Sequence, residues 1–227
     1  MQIVIAGAGS VGRSIARELL AKDHEVTLID RLPDQMRVAS VAQADWILAD
    51  ACSPEALTEA HADSCDVMVA ATGDDKSNLV ISLLAKSEFG VPRVVARVNN
   101  PKNEWMFNDT WGVDVPVSTP RVMTALVEEA VSVGALVRLF KFNEAGAALF
   151  AYTLPSDSAA SGRRVDELNL PGDARVLTLL RDDIPVDLPA DIKLKPGDEL
   201  VLLLYSPVPD LQREVEVALG AIPSEEG

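Results

Sequence analysis

An α/β fold, a parallel doubly wound sheet followed by a small α+β C-terminal domain, is what this 227-residue sequence predicts, on three observations. Between Met1 and about Val117, six apolar runs of strand length alternate with helical patterns, as a parallel sheet with crossover helices requires. A glycine-rich turn (Gly7, Ala8, Gly9, Ser10, Val11, Gly12) follows the first run at once. Past Gly134 the pattern changes to paired strands joined by tight turns.

The first thirty residues organise the rest. Residues 3–6 form an apolar, β-branched run, as a strand covered on both faces needs. Val11, Ile15, Ala16, Leu19 and Leu20 then recur at helical spacing, residues 25–29 form a second strand, and Asp30 stands at its carboxyl end. This is the pattern of a Rossmann-like dinucleotide fold. Gly7 allows a tight turn, Gly9 a close approach of pyrophosphate to the backbone, and Gly12 close packing of helix on sheet. Phosphates are expected at the helix N-terminus, and Asp30, about 18 residues after Gly12, is placed for ribose hydroxyls. An acid there repels a 2′-phosphate, which favours NAD, NADH or an adenine nucleotide over NADP. Arg31 reads equally as an adenine or phosphate contact and as an exposed loop charge.

The remaining elements follow in order. A short helix is expected over 32–41, a third strand over 46–49, and a helix capped by Ser53 with Pro54 at its first position. A fourth strand, 66–71, runs into Thr72, Gly73, Asp74 and Asp75, then a helix over 76–88 and a fifth strand over 93–98. A helix bearing Trp105, Met106 and Phe107 follows Pro101, and 112–117 is the sixth strand. Right-handed crossovers put Gly9, Asp30, Asp50, Thr72 and Gly73 on one rim. Residues 118–133 open on a capping signal at Ser118 and carry an apolar surface wider than one sheet contact needs. That stretch reads evenly as a last fold helix or as a crossover helix at a subunit interface.

The domains are expected at 1–134 and 135–227. In the second, 136–142 and 147–154 pair around a turn at 143–146, and 155–161 is linker-like. A short helix over 162–168, a strand over 175–181, a turn at Asp182 and Asp183, and a pairing strand over 184–188 come next. A turn at 195–198, a buried strand over 199–205, a helix over 208–219 and a frayed tail at 223–227 complete it.

Net charge is −15, which argues against a nucleic-acid partner. Two cysteines, Cys52 and Cys65, and two histidines make a metal site unexpected, and reduced thiols are the default. No signal peptide and no bilayer-spanning run are read, so a soluble chain able to dock on a membrane protein is expected. An NAD-dependent oxidoreductase would need an acid or base beside the hydride, and His24 and His61 read as surface residues. A redox-sensing repressor would need a basic recognition helix, which the charge contradicts. Asp74 and Asp75 read as helix-capping residues ahead of paired carboxylates or a metal site.

The chain resembles the cytosolic regulatory subunits of Trk/Ktr-type potassium transporters, built from RCK (KTN) domains. In the first part, residues 3–12, Leu28, Asp30, Arg31, Asp50, Ala51, the Thr72, Gly73, Asp74, Asp75 loop, Asn78 and 96–99 carry the resemblance. In the second, 162–165, 176–181 and 194–201, with the Lys195, Pro196, Gly197, Asp198 turn, carry it. The resemblance implies a regulator and not an enzyme: a cytoplasmic protein, peripheral on the inner face of the plasma membrane, that binds NAD/NADH or ATP/ADP and gates a membrane potassium channel or transporter subunit. It implies homodimers assembling to a higher ring, with a sister regulatory subunit as an alternative. Gly7, Gly9, Ser10, Val11 and Gly12 would line the phosphates, Asp30 hold the ribose, and Arg31, Asp50 and Ala51 surround the adenine. Thr72, Gly73 and Arg97 would close the pocket, and 118–133 would be the dimer-forming crossover. Some members carry an Arg within the glycine motif that reaches a terminal phosphate; Ser10 stands there, with Arg13 one turn into the helix, which tells against ATP-specific switching. Some family C-terminal domains bind cyclic di-AMP between two copies, but no matching residue set is recognisable.

Overall fold

The computed structural model describes residues 1–142, 146–187 and 192–220, apart from the Glu129 side chain. The chain divides into two units, Met1–Arg121 and Val122–Gly227.

In the first unit β1 (Gln2–Ala6) lies between β2 (Glu25–Asp30) and β4 (Val67–Ala70), parallel to both. Strand β3 (Asp45–Leu48) flanks β2, and β5 (Arg93–Val98) and β6 (Val115–Ser118) continue beyond β4. The resulting order is β3-β2-β1-β4-β5-β6. The order reverses at β1, so a crevice opens there over the strands' carboxyl ends. Alternation along β1 explains its all-apolar sequence. Val4 and Ala6 join the core that holds Leu57, Leu79 and Ile81, while Ile3 and Ile5 join the core that holds Ala16, Val26 and Leu28. Helix α1 (Ser10–Leu20) buries Gly12 and Ala16. Helix α2 (Pro54–Glu59) is capped by Ser53, whose Oγ accepts from Ala56 N at 3.2 Å. Helix α3 (Asp75–Ser87) is capped by Asp74, whose Oδ1 accepts from Ser77 N at 2.7 Å.

Several expectations are corrected. Residues 32–41 form two single 3₁₀ turns, Pro33–Gln35 and Val38–Ser40, and not a helix. Only Val41 of that stretch is buried, so there is no apolar stripe to hold a helix against the sheet. The segment after Pro101 is likewise 3₁₀, Pro101–Met106. Its apolar residues are consecutive, and only Phe107 is buried, with Met106 packed partly against the core. The sixth strand starts at Val115 because Gly112 ends a preceding 3₁₀ turn in a left-handed conformation. Ser118 belongs to β6, and its buried hydroxyl makes no hydrogen bond, so it does not provide the expected cap. Helix α4 (Thr119–Val131) follows directly and runs from the first unit into the second.

The second unit is a five-stranded sheet in the order β10-β9-β11-β8-β7. The strands β7 (Leu136–Phe142), β8 (Ala147–Thr153), β9 (Ala174–Arg181), β10 (Ile184–Val186) and β11 (Glu199–Tyr205) pair antiparallel. In β11, Leu200, Leu202 and Leu204 are fully buried and pack in one cluster with Phe150 and Tyr152 of β8. Leu211 and Val215 of α5 (Pro209–Ala218) join the same cluster. The helix expected over 162–168 is a single 3₁₀ turn, Val165–Glu167. Parts of three expectations lie outside the described residues: the turn at 143–145, the strand end at Leu188 and the tail at 223–227.

Candidate functional site

A cleft of about 650 Å³ opens over the carboxyl ends of β1, β2 and β4, within the roughly 300–1,000 Å³ usual for ligand sites. Gly7, Gly9, Ser10, Val11, Asp30, Arg31, Asp50, Ala51, Thr72, Gly73 and Arg97 all line it. Gly12 alone of the expected residues does not.

The three glycines differ in what holds them. Gly7 sits at φ +106°, and a Cβ there would stand 2.8 Å from Thr72 N, so both conformation and space exclude a side chain. A Cβ on Gly12 would lie 1.9 Å from the Gly7 carbonyl oxygen. Gly12 therefore serves helix packing. A Cβ on Gly9 would meet no protein atom within 4 Å. Nothing in the chain's own packing asks for glycine there. Gly9 also begins α1, and no side chain caps that helix, so first-turn N–H groups are left for an anion.

Asp30 is held by two backbone amides: Ala8 N donates to Oδ2 at 2.7 Å and Leu32 N to Oδ1 at 2.9 Å. Each carboxylate oxygen keeps a further lone pair for a hydroxyl donor. Arg13 donates to the Ala8 carbonyl and, at 3.3 Å, to Gln35 Oε1. Arg31 and Asp50 form a loose, exposed ion pair at 3.9 Å, of little energetic weight. Cys52 lines the cleft beside Asp50, and burial and that carboxylate push its thiol pKa up. The thiol is therefore a weak nucleophile. His24 and His61 do not line the cleft.

The far wall is set by Asn78, which is fully buried. Its Oδ1 accepts from Thr72 N at 2.9 Å and Thr72 Oγ1 at 2.6 Å, and its Nδ2 donates to the Arg97 carbonyl at 2.8 Å. Asp74 and Asp75 do not act as a pair. Asp74 caps α3, whereas Asp75 turns to residues 99–103 and accepts four hydrogen bonds. Among the described residues no cluster of His, Cys, Asp and Glu has metal-binding geometry, and no helix is long and apolar enough to cross a membrane.

Arg13, Gln35, Arg37, Cys52 and Ser77 also line the cleft but are not among the expected site residues. Arg13 lies three residues after Ser10 on α1, a spacing that returns to the same helix face. Gln35 and Arg37 had no such signal, because their position depends on how 32–41 folds.

A crevice at the reversal point of a parallel sheet, bordered by a glycine turn and an acid on the next strand, defines the first unit as a Rossmann-like nucleotide-binding fold. A TrkA-N domain is matched over residues 3–119 and a TrkA-C domain over 149–207, and the chain belongs to the TrkA family. It is 52% identical to the Trk system potassium uptake protein TrkA of Mycobacterium tuberculosis (strain ATCC 25618 / H37Rv), over 99% of this chain and 100% of that protein. It is 29% identical to a Trk system potassium uptake protein TrkA homolog of Methanothermobacter thermautotrophicus, over 90% of this chain and 94% of the other. Among solved structures, the GsuK channel bound to NAD aligns with a TM-score of 0.69 at 15% identity, which speaks to fold. That alignment covers 99% of this chain but only 40% of the channel chain.

Proposed function

We propose that this chain is the nucleotide-binding regulatory subunit of a Trk-type potassium uptake system. An adenine nucleotide or NAD(H) occupies the cleft of residues 1–134, and 135–227 serves assembly or a second ligand. Gly7, Gly9, Ser10 and Val11 face the phosphates, with Gly12 keeping the helix close. Asp30 takes the ribose, Arg31, Asp50 and Ala51 flank the adenine, and Thr72, Gly73 and Arg97 close the far end. The ligand is bound and not consumed; its occupancy changes the arrangement of the assembly and thereby potassium flux through a membrane partner. The partner places the chain at the cytoplasmic face of the membrane. Helix α4 forms the dimer, since Val122, Met123, Leu126, Val127 and Val131 are all exposed on it. Such dimers build the larger ring.

The observation that carries this reading is Gly9: glycine without a packing reason, at the uncapped start of a helix, next to a carboxylate that the preceding residue's amide holds. Gly9→Val should fold normally, because its Cβ meets open space at φ −63°. It should abolish binding of NADH, NAD, ATP and ADP in calorimetry. Asp30→Ala should weaken binding by about tenfold or more, the loss of hydrogen bonds to a charged acceptor. Unchanged affinity in both variants would disprove the pocket. Steady NADH turnover with a small substrate would favour a dehydrogenase, and failure to co-purify with a membrane potassium channel would remove the regulatory role.

A further inference from the structure

We propose that Asp75 and four asparagines form a positioning network that couples the nucleotide cleft, on the reading above, to the first turn of α4.

Asp75 is 7% exposed and opens α3, yet the cap of that helix is Asp74. The Asp75 carboxylate is instead filled from elsewhere. Its Oδ1 accepts from Asn99 N at 2.7 Å and Asn99 Nδ2 at 3.0 Å, and its Oδ2 from Asn100 N at 3.0 Å and Asn103 Nδ2 at 2.8 Å. One end of this network is the cleft wall. Asn99 Nδ2 also donates to the Thr72 carbonyl at 3.1 Å, and Asn78 holds the Thr72 N–H, hydroxyl and carbonyl. Thr72 thus has its backbone polar groups on both sides fixed by network amides. The other end is the 3₁₀ segment Pro101–Met106, which carries Asn103. The next residue, Glu104, pairs with Arg121 in the first turn of α4.

The pieces form one path: polar from a cleft residue through a buried carboxylate to Asn103, then along the chain to Glu104 and its pair with Arg121 on the helix that leaves the unit. Buried, directional networks of this kind lose much of their value when only partly satisfied, so they rearrange as a unit. A nucleotide that repositions Thr72 therefore biases the 101–106 segment and the Glu104–Arg121 pair. Coupling of binding is reciprocal. Substitutions at Asn103 or Arg121, neither of which lines the cleft, must then change nucleotide affinity. The Glu104–Arg121 pair is partly solvent-exposed, which limits the effect at Arg121.

The full chain supplies its own reporter. Trp105 sits in the 101–106 segment and is 76% exposed. In a Trp46→Phe, Trp111→Phe background it is the remaining tryptophan of the three. ADP and NAD are titrated by calorimetry and by Trp105 emission into this parent, Asn103→Ala and Arg121→Gln. Both substitutions should shift the dissociation constants by about two- to fivefold. Ligand should shift Trp105 emission in the parent and not in Asn103→Ala. Binding by the parent with either readout unmoved by the substitutions overturns the coupling while leaving the cleft intact. No binding of either nucleotide by the wild-type chain, titrated alongside, overturns the nucleotide reading, and the coupling with it.

Discussion

Asp75 is also the residue whose ionisation should be visible in stability. Burial raises its pKa, but the hydrogen bonds from Asn99, Asn103 and Asn100 outweigh burial and hold it below the usual carboxylate range. A folded pKa below the unfolded value near 3.9 means stability that is fully present above the unfolded pKa and is lost as pH falls through the folded one. The urea midpoint of the first unit should therefore decline below about pH 4, and Asp75→Asn should flatten that decline. At neutral pH Asp75→Asn should cost about 2 kcal/mol, since an amide nitrogen replaces one acceptor facing two donors. At the glycines the same scale gives a contrast. Gly12→Ala forces a Cβ against the Gly7 carbonyl oxygen, a backbone atom that cannot swing away. It should destabilise by about 2 kcal/mol or more, whereas Gly9→Val should leave the unfolding midpoint unchanged and remove only binding.

At the scale of elements, two segments invite tests. The β9–β10 hairpin turns on Asp182 and Asp183, both at positive φ (+52° and +62°). Such a two-residue turn prefers Asn-Gly. Replacing the pair with Asn and Gly should stabilise the second unit by about 1 kcal/mol in urea unfolding. Beside that turn, Arg181 makes a two-pronged contact with the buried Asp198 at 2.7 Å through each nitrogen, and the hydrogen bonds to Asp198 raise the Arg181 pKa. The second segment is α4, where Met123 is 63% exposed and Leu126 and Val127 are similarly open. Leu126→Asp should dissociate the proposed dimer in sedimentation, with the helical content of each chain unchanged. A monomeric wild-type chain would refute that role for α4. The elements also show where periodicity failed. Residues 32–41 and 101–106 carry apolar residues, but of these only Val41 is buried, and both stretches form 3₁₀ turns.

For the whole molecule, two units with separate cores, one around β1 and β4 and one around β8 and β11, predict two unfolding transitions in calorimetry. A bound nucleotide stabilises only the unit that holds it, by about 2.7 kcal/mol at a hundred times its dissociation constant. ADP or NAD should therefore raise one transition and leave the other in place. If the antiparallel unit's transition moved instead, the ligand would belong there.

Much of this was legible in the order of the residues. The six-strand alternation, the glycine turn, Asp30 and the later switch to hairpins are local patterns, and local patterns fix strand, helix and turn through backbone geometry and apolar spacing. That is why eleven of the twelve expected site residues meet in one cleft. What only the folded chain decided depends on contacts between distant segments. Gln35 and Arg37 reach the cleft because 32–41 is not a helix. Asp75 finds its donors 24 to 28 residues away, and Gly12 shows its purpose only against the Gly7 carbonyl. Spacing along a chain can announce an element, but which buried donor meets which acceptor is settled by packing, where the partners lie close in space and far apart in sequence.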